Sequence, residues 1–479
     1  MQGRAFSSCR ALSAAAALSL AAALPCRAIG PHEVALVVNE ESLDSILLAE
    51  TWARLRSVPA PNVVRVSVPA GEDGAFPEAI TKERFEELVW GPANAALERS
   101  GAAPRVLAWV YSCDFPVRVA ESEETLAKSS TNDLSITGAT FLRAAWPEPE
   151  TIAEGTFASP LYAGPDEPSG EAGHARSFDR VRNDLLDRMP LPAAMLAYTG
   201  PRGIPVEEAM DALARSAAAD GTAPTGTVWA TLRPGVRSES REWQIAPAFA
   251  DVSARDGFDA VVSTNDPAAG DGPIVGYMTG ARAVVPVPEL AAGAYADHFT
   301  SWAAAYEIGA QMKATEWLRA GAASTSGQVC EPFANWAKFP TAWIFPRLLD
   351  GATAIEALYA SVRCPLQLFP LGDPLSAPWA SAPSPATLVR IADGTARPVG
   401  DASGIVPLVA DCDVPDGMVV KFSWFVDGKP AGSGPEFPWN SANLPDGPHE
   451  VRLVARVQNT LERQQAFSVT TFNVSNADR

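Results

Sequence analysis

Short apolar runs alternate with amphipathic stretches along most of the chain. "HEVALVVN" (32–39) is a valine-rich run of the kind a buried strand makes. The stretch "ESLDSILLAETWARLRS" then sets Leu43, Ile46, Leu47 and Leu55 on a helical period. "NVVRVSVP" (62–69) and "RVLAWVYS" (105–112) predict two more strands, and Thr81 is placed to cap the helix of "TKERFEELV". Residues 114–190 are rich in proline, glycine and acids and read as long surface loops. The rhythm then returns. "AAMLAYTG", "TGTVWATL", "FDAVVST" and "PIVGYMTG" predict strands, and Pro205 opens a helix between the first two. "AGAYADHFTS" (292–301), "GAQMKATEWLRAG" and "AASTSGQVCEP" predict a strand–helix–strand unit. Such alternation implies an α/β fold: a mostly parallel sheet flanked by helices.

The pattern changes beyond "LGDPLSAPWASAPSPATL", a proline- and serine-rich stretch that reads as a linker. Within that stretch "GDPLSAP" (372–378) reads as a structural lock, with Gly372 allowing a tight turn and Asp373 bonding nearby amides. Apolar residues then recur every second position: Phe422, Trp424 and Val426 before an Asp427-Gly428 turn, and Val451, Leu453, Ala455 and Val457 after it. Short strands with such turns predict a C-terminal immunoglobulin-like β-sandwich. The expected organisation is an α/β core at 29–383 and the sandwich at 384–479, preceded by a leader at 1–28.

The leader changes the expected compartment. Arg4 and Arg10 precede the apolar run "ALSAAAALSLAAALP", and small residues follow at Cys26 and Ala28. This three-part pattern is that of a secretory signal peptide, so the mature protein is expected to be exported, periplasmic or secreted. The net charge of −19 becomes −22 once the three leader arginines are removed. So acidic a chain repels phosphate backbones and anionic bilayers, which argues against nucleic acid as a partner. No later stretch is long and apolar enough for a transmembrane segment. Export permits disulfides, but Cys113, Cys330, Cys364 and Cys412 are far apart and allow three pairings. The four histidines, His32, His174, His298 and His449, form no local ligand pair, and no cofactor or metal motif is present.

Chemistry is sought at the carboxyl ends of the strands, where sites collect in parallel sheets. Cys330 ends one predicted strand and His298 the preceding one, so neighbouring strands would bring a thiol to an imidazole base. Glu331 argues the other way, because an adjacent carboxylate raises a thiol pKa, and a buried inert cysteine fits equally. Strand alternation would put His298 and Thr300 on one face and Asp297, Phe299 and Ser301 on the other. Asn39, Glu40, Glu41, Asp114, Glu331 and Lys338 are expected to join the same edge as binding groups. Arg233, Arg237 and Arg241 recur at spacing four, suited to gripping a carboxylate or phosphate or to pairing with nearby acids.

The blocks "VVNEES", "NVVRVSVP", "SPLYAGPDEP", "ADHFTS", "GQVCEP…KFP", "GATAIEALYASV" and "LGDPLSAPWA" occur in this order. On these blocks, across roughly 33–381, the chain resembles an uncharacterised family of exported bacterial proteins, a likeness that supplies no catalytic residues. In layout it is also similar to gingipain-like cysteine peptidases of the caspase-like fold, which pair a parallel α/β core with a trailing immunoglobulin-like domain. That likeness implies a His-Gly pair ending one strand and a cysteine ending the next. The mature chain has no His-Gly pair, and Ser301-Trp302 stands where the cysteine would be. The expected function is therefore a non-catalytic envelope or secreted protein that binds a peptide or glycan at the strand-end edge. The alternatives are a cysteine hydrolase using His298 with Cys330 or Ser301, and a structural protein of surface assembly.

Overall fold

The computed structural model describes residues 29–479 apart from 129, 169, 174–175, 186–189, 269, 381–383, 392, 414–418, 459–462 and 477–479. The expected leader, 1–28, and His174 lie outside the described residues. The nine strands predicted for the core are present, and with Leu368–Gly372, which the sequence pattern did not predict, they make one ten-stranded sheet. In spatial order its strands are Val63–Val66, Val34–Asn39, Ala108–Tyr111, Ala193–Met195, Leu368–Gly372, Ser324–Gln328, Leu290–His298, Ile274–Thr279, Gly226–Thr231 and Phe258–Ser263.

The sheet was expected to be mostly parallel, and all neighbouring strands do run parallel except one pair. Ser324–Gln328 and Leu368–Gly372 pair antiparallel, in register from Ser324 opposite Gly372 to Gln328 opposite Leu368. The five strands on one side of this seam are mutually parallel, and so are the five on the other. The sheet is thus two parallel half-sheets of opposite polarity. Their carboxyl ends face opposite edges, so Asn39, Glu40, Glu41 and Asp114 do not share an edge with His298 and Glu331. This corrects the expectation of one common rim. Apolar periodicity locates a strand but carries no information on its direction.

Small residues let the seam be covered closely. The helix Ile136–Phe141, buried along its whole length, lies against it. A Cβ at Gly138 would fall 1.9 Å from the Leu366 carbonyl oxygen. Gly372 takes φ +104°, and a Cβ there would meet the Ala323 oxygen at 2.4 Å. The 114–190 region is therefore more than surface loop: Phe141 stacks on Tyr359 at 5.3 Å, and Ile152 and Leu161 are buried.

The first helix, Leu43–Arg56, is capped by the Ser42 side chain, which accepts from the Ser45 amide. Its buried face is not the leucine stripe. Leu43 and Leu47 are 69% and 41% exposed, and Ser45, Leu48, Ala49, Trp52 and Arg56 turn inward. The reason is polar. Trp52 Nε1 donates to Asp373 Oδ1 at 3.0 Å, and Arg56 Nε donates to Asp373 Oδ2 at 2.9 Å, with Asp220 and Ser216 completing the guanidinium's partners. Asp373 also accepts from the Leu375 amide, so "GDPLSAP" is the lock the sequence suggested. The supposed linker is in part core: Asp373, Leu375, Ser376 and Ala377 are buried.

Beyond it lie two four-stranded antiparallel sheets. They share an apolar core that includes Trp424, Trp439, Leu453 and Phe472. Asp427 and Gly428 both take positive φ, as the hairpin turn requires. In the strand Gly447–Gln458 the predicted inward residues Val451, Leu453, Ala455 and Val457 are buried, but so is Arg452 on the other face. That face packs on the α/β core. Arg452 donates to the Ser57 carbonyl, and Arg456 reaches Glu33 at 3.2 Å and His32 Nε2 at 3.1 Å. Among the described residues no helix is long and apolar enough to cross a membrane.

Removing one partner of a buried pair strands the other charge, so Asp373→Ala is expected to lose about 3–5 kcal/mol of stability. Urea unfolding checks this, and an unmoved midpoint would deny Asp373 its role as the anchor of the first helix.

Candidate functional site

Three segments converge at the carboxyl edge of the second half-sheet. The strand Leu290–His298 leads into Phe299–Ser301, and Ser324–Gln328 leads into Val329–Glu331. The third is the start of the 18-residue helix Val236–Ser253, which follows the strand Gly226–Thr231 and so begins at the same edge. Gly235 caps this helix, and Glu239 in its first turn accepts from the Gly235 amide at 3.1 Å.

Between them is a cavity of about 100 Å³. Val236 and Arg237 form one wall, Phe299, Thr300 and Ser301 a second, and Glu331, Phe333 and Ala334 a third, with Phe339 also lining it. Phe299 and Phe339 stack at 3.7 Å. Phe333 holds φ +57°, a left-handed conformation uncommon outside glycine. Its amide donates to Glu331 Oε1 at 3.0 Å, and its ring stands largely exposed at the rim.

The strand alternation expected for 297–301 stops at His298. The Thr300 amide donates to the His298 carbonyl at 2.9 Å, a tight turn that brings three consecutive residues, Phe299 to Ser301, to the cavity. Asp297 stays inside. Arg241 Nη1 donates to both its oxygens, at 3.1 and 3.0 Å, and to the Pro340 carbonyl, while Nη2 donates to the Thr279 carbonyl. Burial raises the Asp297 carboxyl above its ordinary range, against the opposing pull of the Arg241 charge. This fork ties the helix to two strands and fixes the floor behind Phe299, whose ring lies 5.1 Å from the guanidinium.

Two of the three candidate catalytic groups, His298 and Cys330, are spoken for elsewhere. His298 Nδ1 accepts from Trp317 Nε1 at 2.8 Å, and Nε2 contacts the Met312 carbonyl at 2.9 Å, which sets the proton on Nε2. Burial depresses its pKa to about 4, with the Arg241 and Lys313 charges adding to the effect. Cys330 is buried; Gln367 Nε2 donates to its sulfur at 2.9 Å, and the thiol faces the Asp133 carbonyl at 3.5 Å. Burial first, then the Asp133 charge, drives this thiol's pKa upward, away from thiolate. Neither His298 nitrogen bonds Cys330 or Ser301.

The remaining expected binding groups also have structural posts. Lys338 Nζ is buried, donating to the Ala153 carbonyl at 2.6 Å and Gln367 Oε1 at 2.7 Å. On the opposite edge, Asn39 Nδ2 donates to the Val68 and Asp114 carbonyls, and Glu41 accepts from Ser67. Of the expected site residues, Thr300, Ser301 and Glu331 meet in the cavity. Val236, Phe333, Ala334 and Phe339 were missed. Arg237 was visible only as one member of the arginine series, whose other members pair with acids: Arg233 with Asp266 and Arg241 with Asp297.

A second titratable group spans the two halves away from this cavity. Tyr198 donates to Glu78 at 2.8 Å and stacks on Tyr306 at 3.6 Å, and Arg118 bridges Asp133 at 2.6 Å and Glu307 at 3.6 Å. Burial raises the Glu78 carboxyl. No stretch of the chain announced this group, because its members are scattered from residue 78 to 307.

No model of a known protein family matches the chain, and no curated protein matches it either.

Two outcomes follow from this burial. Thiol reagent at neutral pH should modify Cys412, the one partly exposed cysteine among the described residues, and reach Cys113, Cys330 and Cys364 only on unfolding. Rapid native-state loss of Cys330, read by peptide mapping, would contradict the sealed thiol. His298 stays neutral in the fold to about pH 4, while the unfolded chain protonates it near its ordinary 6.5. Its contribution to stability is therefore complete above about pH 6.5 and lost as pH falls towards 4. Between those limits His298→Gln should flatten the pH dependence of the unfolding free energy, read from urea titrations, by up to about 1.4 kcal/mol per pH unit. An unchanged slope would refute the assignment.

Proposed function

We propose that this is an exported, non-catalytic binding protein that takes its ligand, of the peptide or glycan class, in the cavity at the carboxyl edge of the second half-sheet. The observation that carries the proposal is a contrast. Thr300, Ser301, Glu331 and Arg237 converge on open space, whereas His298 and Cys330 spend their polar atoms on buried partners. A nucleophile needs a free base within reach, and His298, whose two ring nitrogens are both engaged elsewhere, bonds neither Cys330 nor Ser301. That favours binding over the hydrolase alternative.

Export rests on the leader-like start of the sequence and on its resemblance to an exported bacterial family. The two C-terminal antiparallel sheets with their shared tryptophan core support an immunoglobulin-like sandwich. Its buried contacts through Arg452 and Arg456 favour a fixed appendage over a swinging spacer.

The test is a thermal-shift screen of short peptides and oligosaccharides against the native protein and Ala334→Trp, which fills the cavity. A ligand that raises the melting temperature of the native protein alone supports the reading. Binding unaffected by the tryptophan places the site elsewhere. Fluorogenic peptides and esters should show no turnover, and turnover abolished by Cys330→Ala would restore the hydrolase.

A further inference from the structure

The cavity walls carry opposite charges that do not neutralise each other. Arg237 has no ion pair or hydrogen bond from its side chain among the described residues, in contrast to Arg233 and Arg241 on either side of it. It sits in the first turn of a long helix, where the amides of Val236 and Arg237 have no acceptor among the described residues. Aligned peptide dipoles favour negative charge at that position. Thr300 provides an independent sign of a missing partner. It lines the cavity, is 1% exposed, and its buried hydroxyl has no hydrogen bond. A buried hydroxyl without a partner is costly, so such groups are rare unless something fills the place.

Facing these donors is Glu331. One of its oxygens holds the Phe333 amide, and no cation pairs with its carboxylate among the described residues. A simple anion would meet this carboxylate with repulsion, and a simple cation would meet Arg237. A ligand bearing both charges a few ångströms apart satisfies both walls. The cavity of about 100 Å³ is too small for a drug-sized molecule, which needs roughly 300 Å³ or more. Its aromatic lining, Phe299 and Phe339 with Phe333 at the rim, suits a short aliphatic group.

We infer that the cavity is a receptor site for the zwitterionic head of a free α-amino acid with a small aliphatic side chain. The carboxylate is held by Arg237, the helix amides and the Thr300 hydroxyl, and the ammonium by Glu331. This rests on the cavity being the binding site, as proposed above, and adds the class of ligand.

Calorimetry with L-alanine, N-acetyl-L-alanine, L-alaninamide and inorganic phosphate separates the arms. L-Alanine should bind, and the acetylated and amidated forms should bind about tenfold or more weakly, each having lost one charged contact. Arg237→Ala and Thr300→Val should weaken L-alanine, and Glu331→Gln should weaken L-alanine without weakening N-acetyl-L-alanine. Unchanged melting temperatures of the free variants would confirm that they fold. Equal affinity for L-alanine and N-acetyl-L-alanine, or phosphate binding alone, would overturn the zwitterion. Failure of all four probes, with a peptide or oligosaccharide still excluded by Ala334→Trp, would overturn the amino acid and leave the binding reading standing. Failure of every ligand would remove both.

Discussion

Five residue pairs across one antiparallel seam set the plan of this molecule. Where Ser324–Gln328 meets Leu368–Gly372, the polarity of the sheet reverses, and every loop is assigned to one edge or the other by that reversal. The seam is built from Ser324, Thr325, Ser326 and Gly327 on one side, residues small enough for other chain segments to lie directly upon them. A Cβ at Gly327 would meet Ala303 at 2.8 Å, just as one at Gly138 would meet the facing strand's approach. Backbone closeness at this point is what lets a bundle of connections cover a junction between two half-sheets without leaving a gap.

The same reversal gives the two edges different work. At one, Asn39 and Asp114 spend their hydrogen bonds holding loops together. At the other, the helix start, the turn after His298 and the segment after Gln328 leave unpaired polar groups around a small space. Burial decides which neighbouring residues take part. Asp297 and His298 precede Thr300 by only a few positions, yet both are sealed and matched, the first by one arginine nitrogen that reaches both its oxygens and the second by an indole and a carbonyl. In a medium of low polarity an unmatched charge is far more costly than a matched one is beneficial. A polar side chain in such a place is thereby recruited into the framework, and only groups at the margin of the packed interior remain available to a ligand.

Much of the fold was legible because buried strands leave apolar runs, as at Val34–Asn39, Ala108–Tyr111 and Ile274–Thr279, whereas Leu368–Gly372 went unpredicted beside the turn residues of "GDPLSAP". Strand direction was not legible, since "STSGQ" pairs equally well either way. Leu43 and Leu47 misled because the first helix is oriented by Trp52 and Arg56, whose partner Asp373 lies more than three hundred residues away. The proline-rich look of 114–190 concealed a buried helix whose glycine and threonines have no amphipathic period. For the site, segments 297–301 and 327–331 were correctly expected to meet. The individual side chains were not, because a single backbone hydrogen bond after His298 breaks the alternation on which their facing was reasoned. Arg237 was indistinguishable from its neighbours at spacing four until the positions of the acids were known.

The strand at the middle of the sheet is also the last of the ten to be synthesised. Until Leu368–Gly372 arrives, Ala193–Met195 and Ser324–Gln328 each present an unpaired edge. The sheet is therefore completed by intercalation, like a keystone entering an arch, and not by growth outward from a nucleus at one margin. Such long-range closure is intrinsically slow, and open strand edges invite pairing with other chains while it waits. The nascent protein thus passes through a stage with two sticky half-sheets in search of one short segment, a stage in which a holding chaperone has most to protect.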